Sequence, residues 1–111
     1  MISIEELKKK GVDVETGLSR CLGNEDLYLK LVNMGLGDAK FEELGTLLQS
    51  NDLTSAFEIC HALKGVTGNL SLNQLYDALS ALTEKLRAQE KADYSAMYAQ
   101  ILSIRSKLSD S

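Results

Sequence analysis

The chain has 111 residues, a formal net charge of −4, 44% hydrophobic and 25% charged residues, and no proline. That size buries one core without disulfide or metal staples, and the absence of proline with only 5% aromatics favours helices over strands. The longest basic run is Lys8-Lys9-Lys10, which leaves no footprint for nucleic acid. No apolar run nears the ~18 residues of a membrane span, and the acids of MISIEELKKK stand where a signal peptide would be apolar. The expectation is a cytoplasmic protein with neither nucleic acid nor membrane as partner.

In chain order, Ser3 and Glu6 have capping-box spacing, so a short helix is expected over 3–10, ending at Gly11. Asp13 caps a second short helix through Cys21, with Gly23 as its stop. Asn24-Glu25-Asp26 opens a long segment whose Leu27, Leu31, Met34, Phe41, Leu44 and Leu48 follow helical spacing. Gly35 and Gly37 either kink or divide it. Ser50-Asn51-Asp52 stops that helix and caps the next, expected from Leu53 to Leu70. After a boundary at Asn69, Ser71 and Asn73, the stripe Leu72, Leu75, Leu79, Leu82, Leu86 marks a helix to about Gln89. Tyr94, Met97, Ile101, Ile104 and Leu108 mark the last. Short loops make consecutive helices antiparallel neighbours. The expected fold is all-α: an up-and-down antiparallel four-helix bundle with short N-terminal helices, one domain over 1–111, monomeric by default.

The stretch CHALKGVTGNLS holds the single histidine, His61, with Lys64 three residues on and glycines at 65 and 68. On a wheel from Leu53 the apolar face centres near ~300°, whereas His61 falls near ~80°, Gly65 near ~120°, Gly68 near ~60° and Lys64 near ~20°. The imidazole therefore points away from the core, over turns without side chains. Two interior glycines cost about 2 kcal/mol of helix propensity, against a typical stability of about 5–15 kcal/mol. On an exposed face that cost makes sense where another molecule's backbone must approach His61 closely.

Neutral imidazole is a good nucleophile near pH 7 and carries a phosphoryl group covalently. A nearby ammonium stabilises the incoming charge. There is no P-loop and no kinase glycine-rich loop, so phosphate must come from and leave to another protein. General-base catalysis would need a pocket and an orienting carboxylate; Glu58 is within reach, but a convex helix face is a poor pocket. Cys21 and Cys60 form no CxxC pair and read as two free buried thiols, and one histidine without a cysteine cluster leaves no metal site.

HALKG, the small residues after it and the leucine-patterned helix beyond resemble the histidine-containing phosphotransfer (HPt) domain, whose signature is close to His-x-Leu-Lys-Gly. The upstream GVDVETGLSRCLGNEDLYLKLVNMGL is similar to the segment that begins many such domains, so the resemblance spans essentially the whole chain. It implies that His61 is the phosphoacceptor and that Lys64 holds the phosphoryl oxygens. Gly65 would clear space for a docking receiver domain, with Gly68 a second common small position. It implies response-regulator receiver domains and a hybrid sensor histidine kinase as partners, with Mg²⁺ supplied by the receiver and no cofactor held by the bundle. Ser71 stands where many members have glycine. Thr83 falls at the facing position that often orients the imidazole, and Arg87 at a position that can be basic; both are supporting candidates. Val14 and Leu18 extend the docking surface or belong to the core. The initial Met favours a free-standing relay protein over a fragment of a hybrid kinase. The alternative function is an interaction module that binds receiver-like partners without accepting phosphate.

Overall fold

The computed structural model describes residues 2–109, so the initial Met and the outer bounds expected for the domain lie outside the described residues. Every regular element among the described residues is an α-helix: α1 Ile4–Lys9, α2 Val14–Arg20, α3 Glu25–Leu36, α4 Lys40–Gln49, α5 Leu53–Asn69, α6 Asn73–Arg87 and α7 Ser95–Ser109. Four starts carry the polar cap that the sequence announces. Ser3, Asp13, Asn24 and Asp52 each accept a hydrogen bond from the backbone N–H three residues on, at 3.2, 3.3, 3.0 and 3.1 Å. Each such cap contributes about 1 kcal/mol. α6 differs: its N-cap is the buried Leu72, which has no side-chain bond to give.

The helix ends are less conventional. After α5, Leu72 N–H bonds Thr67 O at 3.0 Å and Ser71 N–H bonds Gly68 O at 3.1 Å, with Ser71 in the left-handed region at φ 60°. This is a Schellman turn, which ordinarily uses glycine. Leu22, Asn51 and Gln89 hold the same conformation, each costing roughly 1 kcal/mol relative to glycine. After α1 the left-handed position is a glycine, Gly11 at φ 85°, and after α2 Leu22 is followed by Gly23 at φ 77°.

The segment from 24 to 50 is divided. α3 stops at Leu36 with Gly37 as C-cap, and the Asp38 carboxylate accepts from Lys40 N–H at 2.9 Å where α4 begins. Arg105 of α7 secures the break, donating to Leu36 O while its guanidinium lies 4.6 Å from the Phe41 ring centroid.

α5 packs chiefly on α6 and then on α4, while α7 lies against α6 and touches α3 and α4. The α6 stripe Leu72, Leu75, Leu79, Leu82, Leu86 is fully buried, as are Tyr28, Phe41, Leu44, Leu63 and Ile101. Each such side chain contributes about 2 kcal/mol of burial. Glycines make room for aromatic rings: Gly17 lies under Tyr28 and Gly45 under Tyr98. Cys21 and Cys60 are both free and buried. Val14 is core, 2% exposed, and Leu18 packs against the same cluster, so Val14 is no docking residue. α5 thus turns Ala56, Cys60, Leu63 and Thr67 inward and leaves His61 and Gly65 outward.

Candidate functional site

His61 is exposed in the middle of the longest helix, and Lys64, one turn on, is half-buried. Among the described residues no group hydrogen-bonds the imidazole, and Glu58 makes no ion pair with it. The Lys64 ammonium lies 5.8 Å from the Tyr76 ring centroid, within cation–π range. That contact leans the lysine toward α6 without pairing its charge.

The surface around His61 is not the convex face expected from the wheel. It is one wall of an open groove of about 520 Å³, completed by Asp13, Thr16 and Arg20 of α2 and by Asn73 and Tyr76 of α6. Asp13 and Arg20 both have structural work there. The Asp13 carboxylate caps α2 and accepts from Thr16 Oγ1 at 2.7 Å, a bond that holds its pKa below the usual carboxylate value. The Arg20 guanidinium donates to Gly68 O at 2.7 Å, which also accepts from Ser71 N–H in the closing turn, and to Asn69 O at 3.1 Å, so it adds to the satisfaction of the last carbonyls of α5. It also reaches Ser71 Oγ at 3.4 Å. The buried Tyr28 OH donates to Leu70 O at 2.7 Å. The helix that carries His61 is therefore pinned at its C-terminal end by two upstream residues. Neither Arg20 nor Tyr28 stands out in the sequence, because a side chain that caps a helix 40–50 residues away has no local signature.

The two glycines separate. A Cβ on Gly65 would meet nothing within 4 Å, so no atom of the described chain requires a glycine there. A Cβ on Gly68 would stand 3.0 Å from two atoms of the Tyr76 ring, so this glycine lets α6 approach α5. Neither has a positive φ. Gly68 lines the groove as well, but its presence is explained within the chain. The space over Gly65 is not.

Of the two supporting candidates, Thr83 is misplaced by the sequence reading. It is fully buried; its hydroxyl donates to Leu79 O at 2.7 Å, with Cys60 Sγ 3.2 Å away. It faces the core and not the imidazole. One residue of register on a helix is about 100°, and counting along a family pattern does not fix the angle at which α6 presents a given position. Burial also pushes the Cys60 thiol up, which disfavours its thiolate. Arg87 is exposed, with Nε 3.4 Å from the Glu84 carboxylate and its guanidinium carbon 5.0 Å from the Phe57 ring centroid. The Phe57 ring is in turn stacked on His61, centroids 5.8 Å apart and planes 17° from parallel. Phe57 lies half-buried at the edge of the apolar face of α5.

No helix among the described residues is long and apolar enough to cross a membrane. No curated protein and no solved structure matches the chain. The family model of the Hpt domain matches residues 37–110, which takes in α4 to α7 and leaves α1 to α3, including the α2 wall of the groove, outside the match. The upstream segment that resembles the start of such domains therefore lies outside the matched residues. With HALKG on α5 and well over half of its length matched, the chain belongs to the Hpt domain family.

Proposed function

We propose that the protein is a phosphohistidine carrier, with His61 accepting a phosphoryl group from one receiver-domain aspartate and passing it to another. Hpt domains are phosphotransfer carriers in two-component signalling and not enzymes with their own catalytic site. In the transfer, the lone pair of the unprotonated ring nitrogen attacks phosphorus. The P–O bond to the aspartyl carboxyl breaks, its electron pair returns to the carboxylate, and the proton on the other ring nitrogen stays in place. The reverse sequence of bonds delivers the group onward. Lys64 screens the phosphoryl oxygens, since phosphoryl transfer is catalysed by positioning and electrostatics. Mg²⁺ comes with the receiver.

The single observation that carries this reading is the empty space over Gly65, one turn from an exposed imidazole without a hydrogen-bond partner among the described residues. A residue that lowers helix propensity and fits nothing in its own chain is accounted for by a partner that needs the room. Docking then centres on His61, Lys64 and Gly65, with Gly68 at the edge of the same groove. The partners are receiver domains and a hybrid sensor kinase. We read α4 to α7 as an antiparallel up-and-down bundle within one domain over 1–111, monomeric and cytoplasmic.

The test is transfer of labelled phosphate from a panel of phosphorylated receiver domains to wild type and His61→Gln. Label on wild type alone, stable to alkali and lost in acid, is the expected outcome. A folded wild type that takes no label but binds a receiver equally well with and without His61 would replace this reading with a docking module that accepts no phosphate.

A further inference from the structure

Among the described residues no hydrogen bond sets the rotation of the imidazole, and Thr83 is turned into the core and bonded to Leu79 O. The last side-chain torsion of histidine is broad, and a nucleophile must be held within roughly 10–20° of its productive direction. What His61 has instead is a ring stack. Phe57, four residues earlier on the same face of α5, lies 5.8 Å away at 17°, within the range of offset stacking. The Arg87 guanidinium lies over the Phe57 ring at 5.0 Å, and Glu84 holds Arg87 from one turn back on α6. The positive guanidinium is attracted to the negative face of the phenyl ring. The Phe57 ring is thereby tied to the neighbouring helix as well as to its own.

We propose that Phe57, fixed by Arg87, is the positioning residue for His61, setting the rotation of the imidazole by stacking. Arg87 on this account acts through the phenyl ring and does not touch the phosphoryl group. The proposal rests on His61 being the phosphoacceptor and deepens that reading.

The variants are Phe57→Leu, Phe57→Tyr, Arg87→Met and Phe57→Leu/Arg87→Met, each checked for folding by thermal melt. Transfer from a phosphorylated receiver is measured at saturating receiver, with receiver affinity measured separately. Phe57→Leu is expected to slow saturated transfer about tenfold, about 1.4 kcal/mol in the barrier, with affinity changed less than twofold. Phe57→Tyr, which keeps the ring, restores the rate. Arg87→Met slows transfer about threefold in wild type and adds nothing in the Phe57→Leu background, because non-additivity reports a shared route. Unchanged transfer in Phe57→Leu would overturn the proposal. So would a rate loss matched by an equal loss of affinity, which makes Phe57 a docking residue. An Arg87→Met effect that persists without Phe57 would place the arginine on the phosphoryl group itself. A readout independent of any receiver is the NMR signal of the His61 ring protons in the free protein. Displacement by the Phe57 ring current in wild type, lost in Phe57→Leu, is expected whether or not a receiver delivers phosphate. Identical signals in the two proteins would refute the stack.

Discussion

Two grooves of similar size flank the molecule, and they are built alike. One, of about 520 Å³, runs past His61; the other, of about 480 Å³, lies between the end of α3, α4 and α7. Each contains an arginine that caps the C-terminal end of a helix, Arg20 at α5 and Arg105 at α3. They differ in what is left over. In the second groove Arg105 also pairs with Glu42 at 3.0 Å, which lowers the carboxyl's pKa, and Tyr98 OH donates to Phe41 O at 2.8 Å. The Tyr98 ring rests on Gly45, so the glycine near that groove is filled by the chain itself. In the first groove the imidazole has no hydrogen-bond partner among the described residues and Gly65 has nothing above it. A concavity with an arginine is therefore not enough to mark a site. A nucleophile left exposed beside space the chain does not use is a sharper sign.

The comparison breaks most visibly at the filled glycine. A Cβ on Gly45 would lie 2.5 Å from Tyr98 Oη and 2.6 Å from its ring carbon. Gly45→Ala is expected to cost about 2 kcal/mol, as overpacking does, and to leave phosphate transfer unchanged; urea unfolding and a transfer assay read the two separately. At the first groove, Lys64→Ala is expected to slow transfer about tenfold, about 1.4 kcal/mol, with the unfolding midpoint nearly unmoved. Among the described residues its ammonium has the contact with the Tyr76 ring and no ion pair.

Thr83 sharpens the contrast between inside and outside. Thr83→Val keeps the shape of the side chain and removes a buried donor to Leu79 O. The expected loss is about 1 kcal/mol of stability, with transfer from a receiver unaltered. A transfer defect without a stability defect would return Thr83 to the imidazole.

The smallest effect concerns Tyr28, whose burial pushes its phenol up to about 12. Below about pH 10 the phenol is neutral in both folded and unfolded chains. Between about 10 and 12 the unfolded chain ionises first, so stability falls as pH rises through that window. Unfolding midpoints measured across it should fall more steeply for wild type than for Tyr28→Phe.

What the sequence disclosed followed from local chemistry. Ser3, Asp13, Asn24 and Asp52 announce their helices because a cap acts within three residues. The outward placement of His61 and Gly65 followed from the 100° step of one helix. What it withheld depended on distant parts of the chain. Arg20 and Tyr28 hold the end of α5 from more than 40 residues away, and the groove exists because α2 folds back beside α5. The inward turn of Thr83, the contact of Gly68 with Tyr76 and the stack of Phe57 on His61 each depend on how α6 is rotated against α5, or on a side-chain rotamer. Ser71 escaped for another reason. A serine at φ 60° takes the turn that glycine would, and residue type alone does not announce it.

The most direct test is a series at Gly65, with Ala and Gln, reading unfolding stability and receiver-to-His61 transfer on the same samples. With nothing within 4 Å of the added Cβ, Gly65→Ala should stabilise the helix by about 0.5–1 kcal/mol. Transfer should fall from Gly to Ala to Gln, by more than tenfold at Gln, as the added side chain occupies the partner's space. Substitutions that destabilise the protein, or a Gln variant that still takes phosphate at the wild-type rate, would contradict the claim that this space is kept for a docking partner.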